Sequence, residues 1–431
     1  MIPQDTINTF HSIRVRIHSF IDLLAHNLQL LKYYLIMNSA YLVITILIYN
    51  SSDVVSTIDE ISLKGRIITI WMLLNALIVF IFGYGIQNIH CKKAFEKIDF
   101  KNKVDAYPIL MKKNNNKHSV TLTFHSSGIP YDIWEDNILK LENVLNVTIS
   151  EITTGKSDAI IIIKGYSGKY NWDKPIAWSS AYMPIDSDLI IGQTVGGNLY
   201  CDLNTYAHIL IGGMTGSGKT VLLKQLILQC IAKEYQVYIA DFKLGVDYSD
   251  SWRNNSTFLT NRKSVLNHLK LITDELDNRL ALFSKYSCKD IDSFNQFIEG
   301  KIDRIIFACD ELAELLDTTG MDKDEKAIIK EIEGHISKIA RLGRAVGIHL
   351  ILATQRPDAD VLSGQIKSNM TYRLCGRSNE VLSRIILDST DAAKLIPNDA
   401  KGVFINQDGI RIKGFNIHND DLEISLNATV N

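Results

Sequence analysis

The sequence predicts an α/β fold built on a mainly parallel sheet, and three observations carry that expectation. Several short apolar runs end abruptly in polar residues, at 208–212, 235–243, 303–311 and 347–357, as strands buried on both faces do. A glycine-rich turn at 213–218 separates the first of these runs from the helix-forming stretch VLLKQLILQCIA. Upstream, residues 119–126 alternate apolar and polar, 131–145 carry a helical pattern and 158–165 read DAIIIIKG, so a smaller α/β unit with β-α-β order precedes the larger one.

Composition supports a folded chain of more than one unit. The 431 residues are 46% hydrophobic and 22% charged with 7 prolines and 25 glycines, which excludes disorder, collagen and low complexity as the main state. Lysine plus arginine total 46 against 48 for aspartate plus glutamate, a net charge of −2. There is no overall basic excess, so a polyanionic partner has to be held by a local patch. Cys91, Cys201, Cys230, Cys288, Cys309 and Cys375 are scattered without CxxC spacing, and the histidines are dispersed. Buried reduced thiols and no structural metal are expected.

In chain order, 1–32 read as an N-terminal segment, 33–89 as a membrane anchor, 90–117 as a linker, 118–180 as the small α/β domain and 181–431 as the main domain. Residues 33–49 and 67–89 carry no charge, and each approaches the roughly 20 apolar residues that cross a bilayer as a helix. Arg14, Arg16 and Lys32 precede the first run and Lys92, Lys93 and Lys97 follow the second, while Asp53, Asp59 and Glu60 lie between them. That bias predicts a multi-pass protein of the cell membrane, with both ends in the cytoplasm and no cleaved signal peptide. The tryptophans of 172–178 read as loop packing or as a recognition surface.

The chemistry concentrates in 208–220, HILIGGMTGSGKT, which matches GxxxxGK[ST] between a strand and a helix. Gly213, Met214, Thr215, Gly216, Ser217 and Gly218 would curl backbone N–H groups around phosphate at a helix N-terminus. Lys219 would add a charge on the β/γ oxygens of ATP, and Thr220 would place its hydroxyl on Mg²⁺. Asp310 and Glu311 end the apolar run 304–309. Asp310 is expected on the Mg²⁺, through water, and Glu311 as the base for the attacking water, with helix capping a second role for Glu311. Gln355, at the end of another strand beside Thr354 and Arg356, would sense the γ-phosphate or align water; the alternative is a solvated turn. Asp241 and Lys243 end a further strand.

Taken together these pieces resemble the FtsK/SpoIIIE family of membrane-anchored DNA-translocating motors, from about residue 182 to 414. The resemblance lies in HILIGGMTGSGKT, the DFK at 241–243, ELDNRLALF at 275–283, IIFACDELAEL, the block 339–369 and SRIILD at 383–388. It implies a RecA-like P-loop motor, ATP and Mg²⁺ as cofactors, and a hexameric ring gripping DNA of unspecified strandedness in its pore. An arginine from the neighbouring subunit would complete each site: Arg384 first, then Arg377 and Arg373, each otherwise a plain surface or salt-bridge arginine. Lys243, Arg341, Arg344 and Lys367 are candidate DNA contacts or else a solvated face. The compact motor behind two spans, without a C-terminal winged helix, most resembles the TcpA-type coupling proteins of Gram-positive mobile elements. That implies conjugative DNA transfer with relaxase or transfer-channel partners. A type VII-like protein-secretion ATPase and a nucleotide-gated scaffold are the rival readings.

Overall fold

The computed structural model describes residues 20, 28–50, 57–82, 86–116, 119–168, 170–184, 186, 188–297, 301–355 and 363–429. The chain divides into two compact units, Met1–Lys169 and Tyr170–Asn431, so the division falls before the expected boundary at 180/181.

In the first unit, helices α1 (Leu28–Asn50) and α2 (Thr57–Phe82) stand where two membrane spans were expected. Among the described residues no helix is long and apolar enough to cross a membrane, which corrects the two-span expectation. Polar positions interrupt both apolar runs and bond across the pair: Tyr34 Oη donates to Asn75 Oδ1 at 2.8 Å and Trp71 Nε1 to Asn38 Oδ1 at 3.1 Å. Arg14 and Arg16 lie outside the described residues.

The stretch expected as a linker contains most of helix α3 (Ile86–Lys97) and strand β1 (Ile109–Asn115). After them come β2 (Ser119–His125), α4 (Tyr131–Asp136), α5 (Ile138–Leu145), β3 (Val147–Thr154) and β4 (Ile160–Ser167). The sheet order is β1-β2-β4-β3 and every pairing is antiparallel. The β-α-β reading missed β3, which follows the helices directly and turns the chain, so β2 and β4 meet antiparallel. Phe95, Phe100, Phe124 and Trp134 fill the core beneath this sheet, with Phe100 edge-on to Trp134 at 4.9 Å between centroids.

The second unit runs β5 (Ile176–Ala177), β6 (Asp188–Thr194), β7 (Gly197–Asp202), β8 (Ile209–Gly212), α6 (Lys219–Ala232), β9 (Gln236–Ala240), α7 (Asp250–Asn254), β10 (Thr257–Leu259), α8 (Arg262–Tyr286) and α9 (Ile291–Phe297). It continues with β11 (Ile305–Cys309), α10 (Leu312–Leu316), α11 (Lys323–Val346), β12 (Ile348–Thr354), α12 (Gly364–Asn369), β13 (Tyr372–Cys375), α13 (Glu380–Leu387), α14 (Asp391–Leu395), β14 (Val403–Asn406), β15 (Arg411–Lys413), β16 (Phe415–Asn416) and α15 (Asp421–Thr429). One ten-stranded sheet has the order β10-β9-β11-β12-β8-β13-β14-β15-β6-β7. Its first six strands are parallel and the rest antiparallel, in line with the mainly parallel sheet expected.

Apolar side chains pack both faces, which is why these strands read as continuous hydrophobic runs. On β11, Ile305, Phe307 and Cys309 join the core under α8 and α11, whereas Ile306 and Ala308 join the core under α6. Helix α11 is started by a reciprocal cap between Asp322 and Glu325, and the left-handed Gly347 (φ 70°) ends it directly before β12. Trp172 and Trp178 are buried, and Trp178 Nε1 donates to Ser425 Oγ at 3.1 Å, so both pack rather than present a surface. The cysteines are free thiols; burial pushes those of Cys201, Cys230, Cys309 and Cys375 up.

At the N-terminal edge of the strands two histidines are buried in neutral form. His349 Nδ1 donates to Ala207 O at 2.9 Å, leaving Nε2 to accept from Arg304 Nη1 at 3.1 Å, while His208 Nδ1 accepts from Leu350 N at 3.0 Å. Burial lowers both, His208 to about 4 and His349 well below the ordinary histidine value, with Arg304 adding to the latter. As pH falls below the unfolded value of about 6.5, the unfolded chain takes up protons that the folded chain refuses. Stability is therefore expected to hold above that pH and to decline from there toward pH 4. A thermal midpoint that stays flat across this window would contradict it.

Candidate active site

Register brings the site together. Ala240 pairs with Cys309, Cys309 with Leu352 and Leu352 with Leu210, so the strands end in line and deliver Asp241, Asp310, Glu311, Gln355 and the 213–218 turn to one edge. Ligands in open α/β sheets bind at this carboxyl edge.

The turn leads from β8 into α6 with Gly213, Gly216 and Gly218 at φ 156°, 76° and 99°. At Gly218 a Cβ would stand 2.9 Å from the backbone of Gly402, whose N–H donates to Ser217 O at 2.8 Å. No side chain fits there, and a left-handed residue is required as well. Opposite, Arg377 braces the loop: its Nη2 donates to Thr215 O at 2.8 Å and its carbonyl accepts Met214 N at 2.9 Å.

Lys219 is buried, with its ammonium 2.7 Å from Asp310 O and 3.4 Å from Glu311 Oε2. Thr220 Oγ1 donates to Asp310 Oδ1 at 2.9 Å. Glu311 Oε1 accepts from Thr354 Oγ1 at 3.0 Å and from Ala313 N at 3.3 Å, which makes Glu311 the N-cap of α10 as well as a member of the cluster. Gln355 N donates to Glu311 Oε2 at 3.1 Å, and its Oε1 accepts from Thr215 Oγ1 at 2.7 Å. Gln355 thus ties the carboxylate to the glycine-rich loop instead of standing in a solvated turn. Arg356 lies outside the described residues.

These residues fit a nucleotide with a divalent ion. Buried Ser217 Oγ has no partner within the protein, a polar atom at the loop that phosphate would satisfy. Thr220 and Asp310 supply hard oxygen donors of the kind magnesium prefers, beside the Lys219 ammonium, a counter-charge for phosphate.

The three arginines considered for the neighbouring site separate. Arg377 is held in its own subunit by Thr215 O and Asn398 O, and Arg373 by Asp388 and Ile386 O. Arg384 stands on α13 with 66% of its side chain exposed and only a 4.0 Å approach to Glu380. Of the basic residues considered for DNA, Lys243 lies on Asp310, Lys367 on Asp388 and Arg344 on Asn204 O; Arg341 contacts Ser337 O one turn earlier in its own helix. Sequence reasoning missed the in-subunit grip of Arg377 and the approach of Gly402, because both come from loop residues flanking strands distant in sequence and neither carries a local pattern.

Comparison with known proteins agrees with this geometry. The FtsK/SpoIIIE family profile matches residues 171–309. The solved structure of the pCW3 conjugation coupling protein TcpA, a monomer with ATPγS, is similar with a TM-score of 0.61 and 35% identity, over 80% of this chain and 98% of that one. The chain belongs to the FtsK/SpoIIIE family of P-loop ATPases.

Curated FtsK relatives agree. The DNA translocase FtsK of Clostridium acetobutylicum is 32% identical over 262 residues, 54% of this chain and 33% of that protein. The DNA translocase SftA of Bacillus subtilis is 31% identical over 276 residues, 61% of this chain and 28% of that protein. The chain therefore spans about a third or less of the length of these FtsK-type translocases.

Proposed function

We propose that this chain couples ATP hydrolysis to DNA movement as the coupling protein of a conjugative transfer system, acting as a hexameric ring. The observation that carries the reading is Lys219 lodged between Asp310 O and Glu311, under a glycine-rich loop that Arg377 and Gln355 hold in shape. Backbone N–H groups of 213–218 and the Lys219 ammonium bind and orient the phosphates of ATP. Thr220 and Asp310 would hold Mg²⁺, which when bound would neutralise charge on the phosphates. Glu311 takes the proton of the attacking water, and Thr354 and the Gln355 backbone keep its carboxylate aimed.

The conjugative role draws on the likeness to TcpA along nearly that whole chain, with DNA as cargo and relaxase or transfer-channel proteins as partners. Arg384 is the arginine offered to the next subunit, since its guanidinium is free to reach outward. A location at the cell membrane, with the ATPase unit in the cytoplasm, is supported by the apolar side chains that α1 and α2 leave exposed, among them Ile36, Leu42, Leu47, Met72 and Leu73.

The test is ATP turnover of the full chain alone, with single-stranded and with double-stranded DNA, beside Lys219→Ala. Stimulation by one DNA form, abolished in the variant, is expected. Turnover indifferent to both forms would overturn the DNA reading and point to a protein cargo.

A further inference from the structure

The Asp310 carboxylate is shared between two donors of its own chain, a hydroxyl and an ammonium. Its Oδ1 accepts from Thr220, and its Oδ2 lies 3.4 Å from the ammonium of Lys243, which reaches over from the turn after β9. Lys243 keeps 48% of its side chain exposed, so the pair is weakly held and its long arm can leave at small cost. The base of the turn, in contrast, is built rigidly. Buried Asp241 accepts Lys243 N at 3.1 Å and Gly245 N at 2.7 Å, Leu244 and Gly245 take left-handed φ of 60° and 68°, and Arg253 Nη2 holds Gly245 O at 2.8 Å. Lys224, one helical turn beyond Thr220, donates to Asp247 O at the far end of the turn. The far side of this turn is thus tied through Lys224 to α6, which carries Thr220, while Leu244 and Val246 at its tip are exposed.

A divalent cation on Asp310 and the Lys243 ammonium claim the same carboxylate and repel each other. We propose that Lys243 is a positioning residue which holds the Asp310 carboxylate through Oδ2 and gives it up to the nucleotide's divalent cation, so that cation binding loosens the exposed tip at Leu244 and Val246 over its rigid base. The proposal rests on the ATPase reading and adds to it a route from the metal carboxylate to an exposed turn.

The experiment is a Mg²⁺ titration of fluorescent ATP-analogue binding to the full chain, with Lys243→Met and Lys243→Arg. The Mg²⁺ needed for half-maximal tightening is expected to fall about threefold in Lys243→Met, as loss of a half-exposed ion pair implies, and to stay near the parent value in Lys243→Arg. Hydrogen exchange at Leu244 and Val246, whose amides Asp241 does not hold, is expected to quicken in the parent when Mg²⁺ joins the nucleotide, and to be fast throughout in Lys243→Met. Unchanged Mg²⁺ dependence in the methionine variant, or exchange indifferent to Mg²⁺ in the parent, overturns the proposal and leaves the ATPase reading standing. A parent chain that binds no nucleotide overturns both.

Discussion

Glu311→Gln is expected to slow ATP turnover by roughly 10²–10⁴-fold while the chain still binds nucleotide. The amide cannot accept the proton of water, yet its carbonyl oxygen can keep the acceptor duties of Oε1 toward Thr354 Oγ1 and Ala313 N. The new NH₂ group faces Lys219 Nζ and Gln355 N, two donors that the carboxylate satisfied through Oε2. Lys219 retains Asp310 O at 2.7 Å, so it stays lodged under the loop and the phosphates keep their cation. Phosphate release and analogue binding, measured on the same preparation, separate the two effects. Turnover near the parent value would remove Glu311 from the chemistry and leave it the capping of α10.

How far the sequence foretells this site depends on the range of the interaction involved. The phosphate loop is local: its glycines are required by positive φ at 213, 216 and 218, and the strand before it and helix after it are contiguous with it. Asp310 and Glu311 were legible because β11 is buried on both faces, which makes two adjacent carboxylates at its end conspicuous. Strand register then converts ends of separate runs into one edge, and parallel pairing makes that step predictable.

What escaped the sequence is nonlocal or marginal. The β14–β15 hairpin was legible in 402–415, but the β6–β7 pair beyond it was not, because its place beside β15 depends on partners more than on its own pattern. In the small unit, β3 follows α5 after a single left-handed residue, Asn146 (φ 52°), too tight a junction to separate by periodicity. The expected spans are not supported among the described residues, while Asn38 and Asn75, read as polar groups on a packed face, do bond between α1 and α2. Lys243 and Arg377 show the same limit for charge. The family resemblance implied Arg377 as a candidate for a neighbouring subunit's site, and Lys243 was weighed as a DNA contact; within the subunit each bonds to the nucleotide site, contacts that no local pattern signals.

Arg384 supplies the second large effect, because loss of an arginine that stabilises the transferring phosphoryl group costs on the order of 10³–10⁵ in rate. Arg384→Ala alone does not tell a neighbour's site from the same subunit's site, since both arrangements lose turnover. Mixing does. Lys219→Ala disables the site of its own subunit but leaves Arg384 intact, and Arg384→Ala does the reverse. If Arg384 serves the neighbour, a ring holding both variants contains interfaces where an intact loop meets an intact arginine. Equal random mixing is then expected to restore about a quarter of parental turnover, the share of interfaces with that pairing in a closed head-to-tail ring. If Arg384 serves its own subunit, no such pairing exists and the mixture stays inactive. Exposure on α13 favours the first outcome, because among the described residues its one ion-pair approach is a 4.0 Å contact to the exposed Glu380, too weak to hold it back.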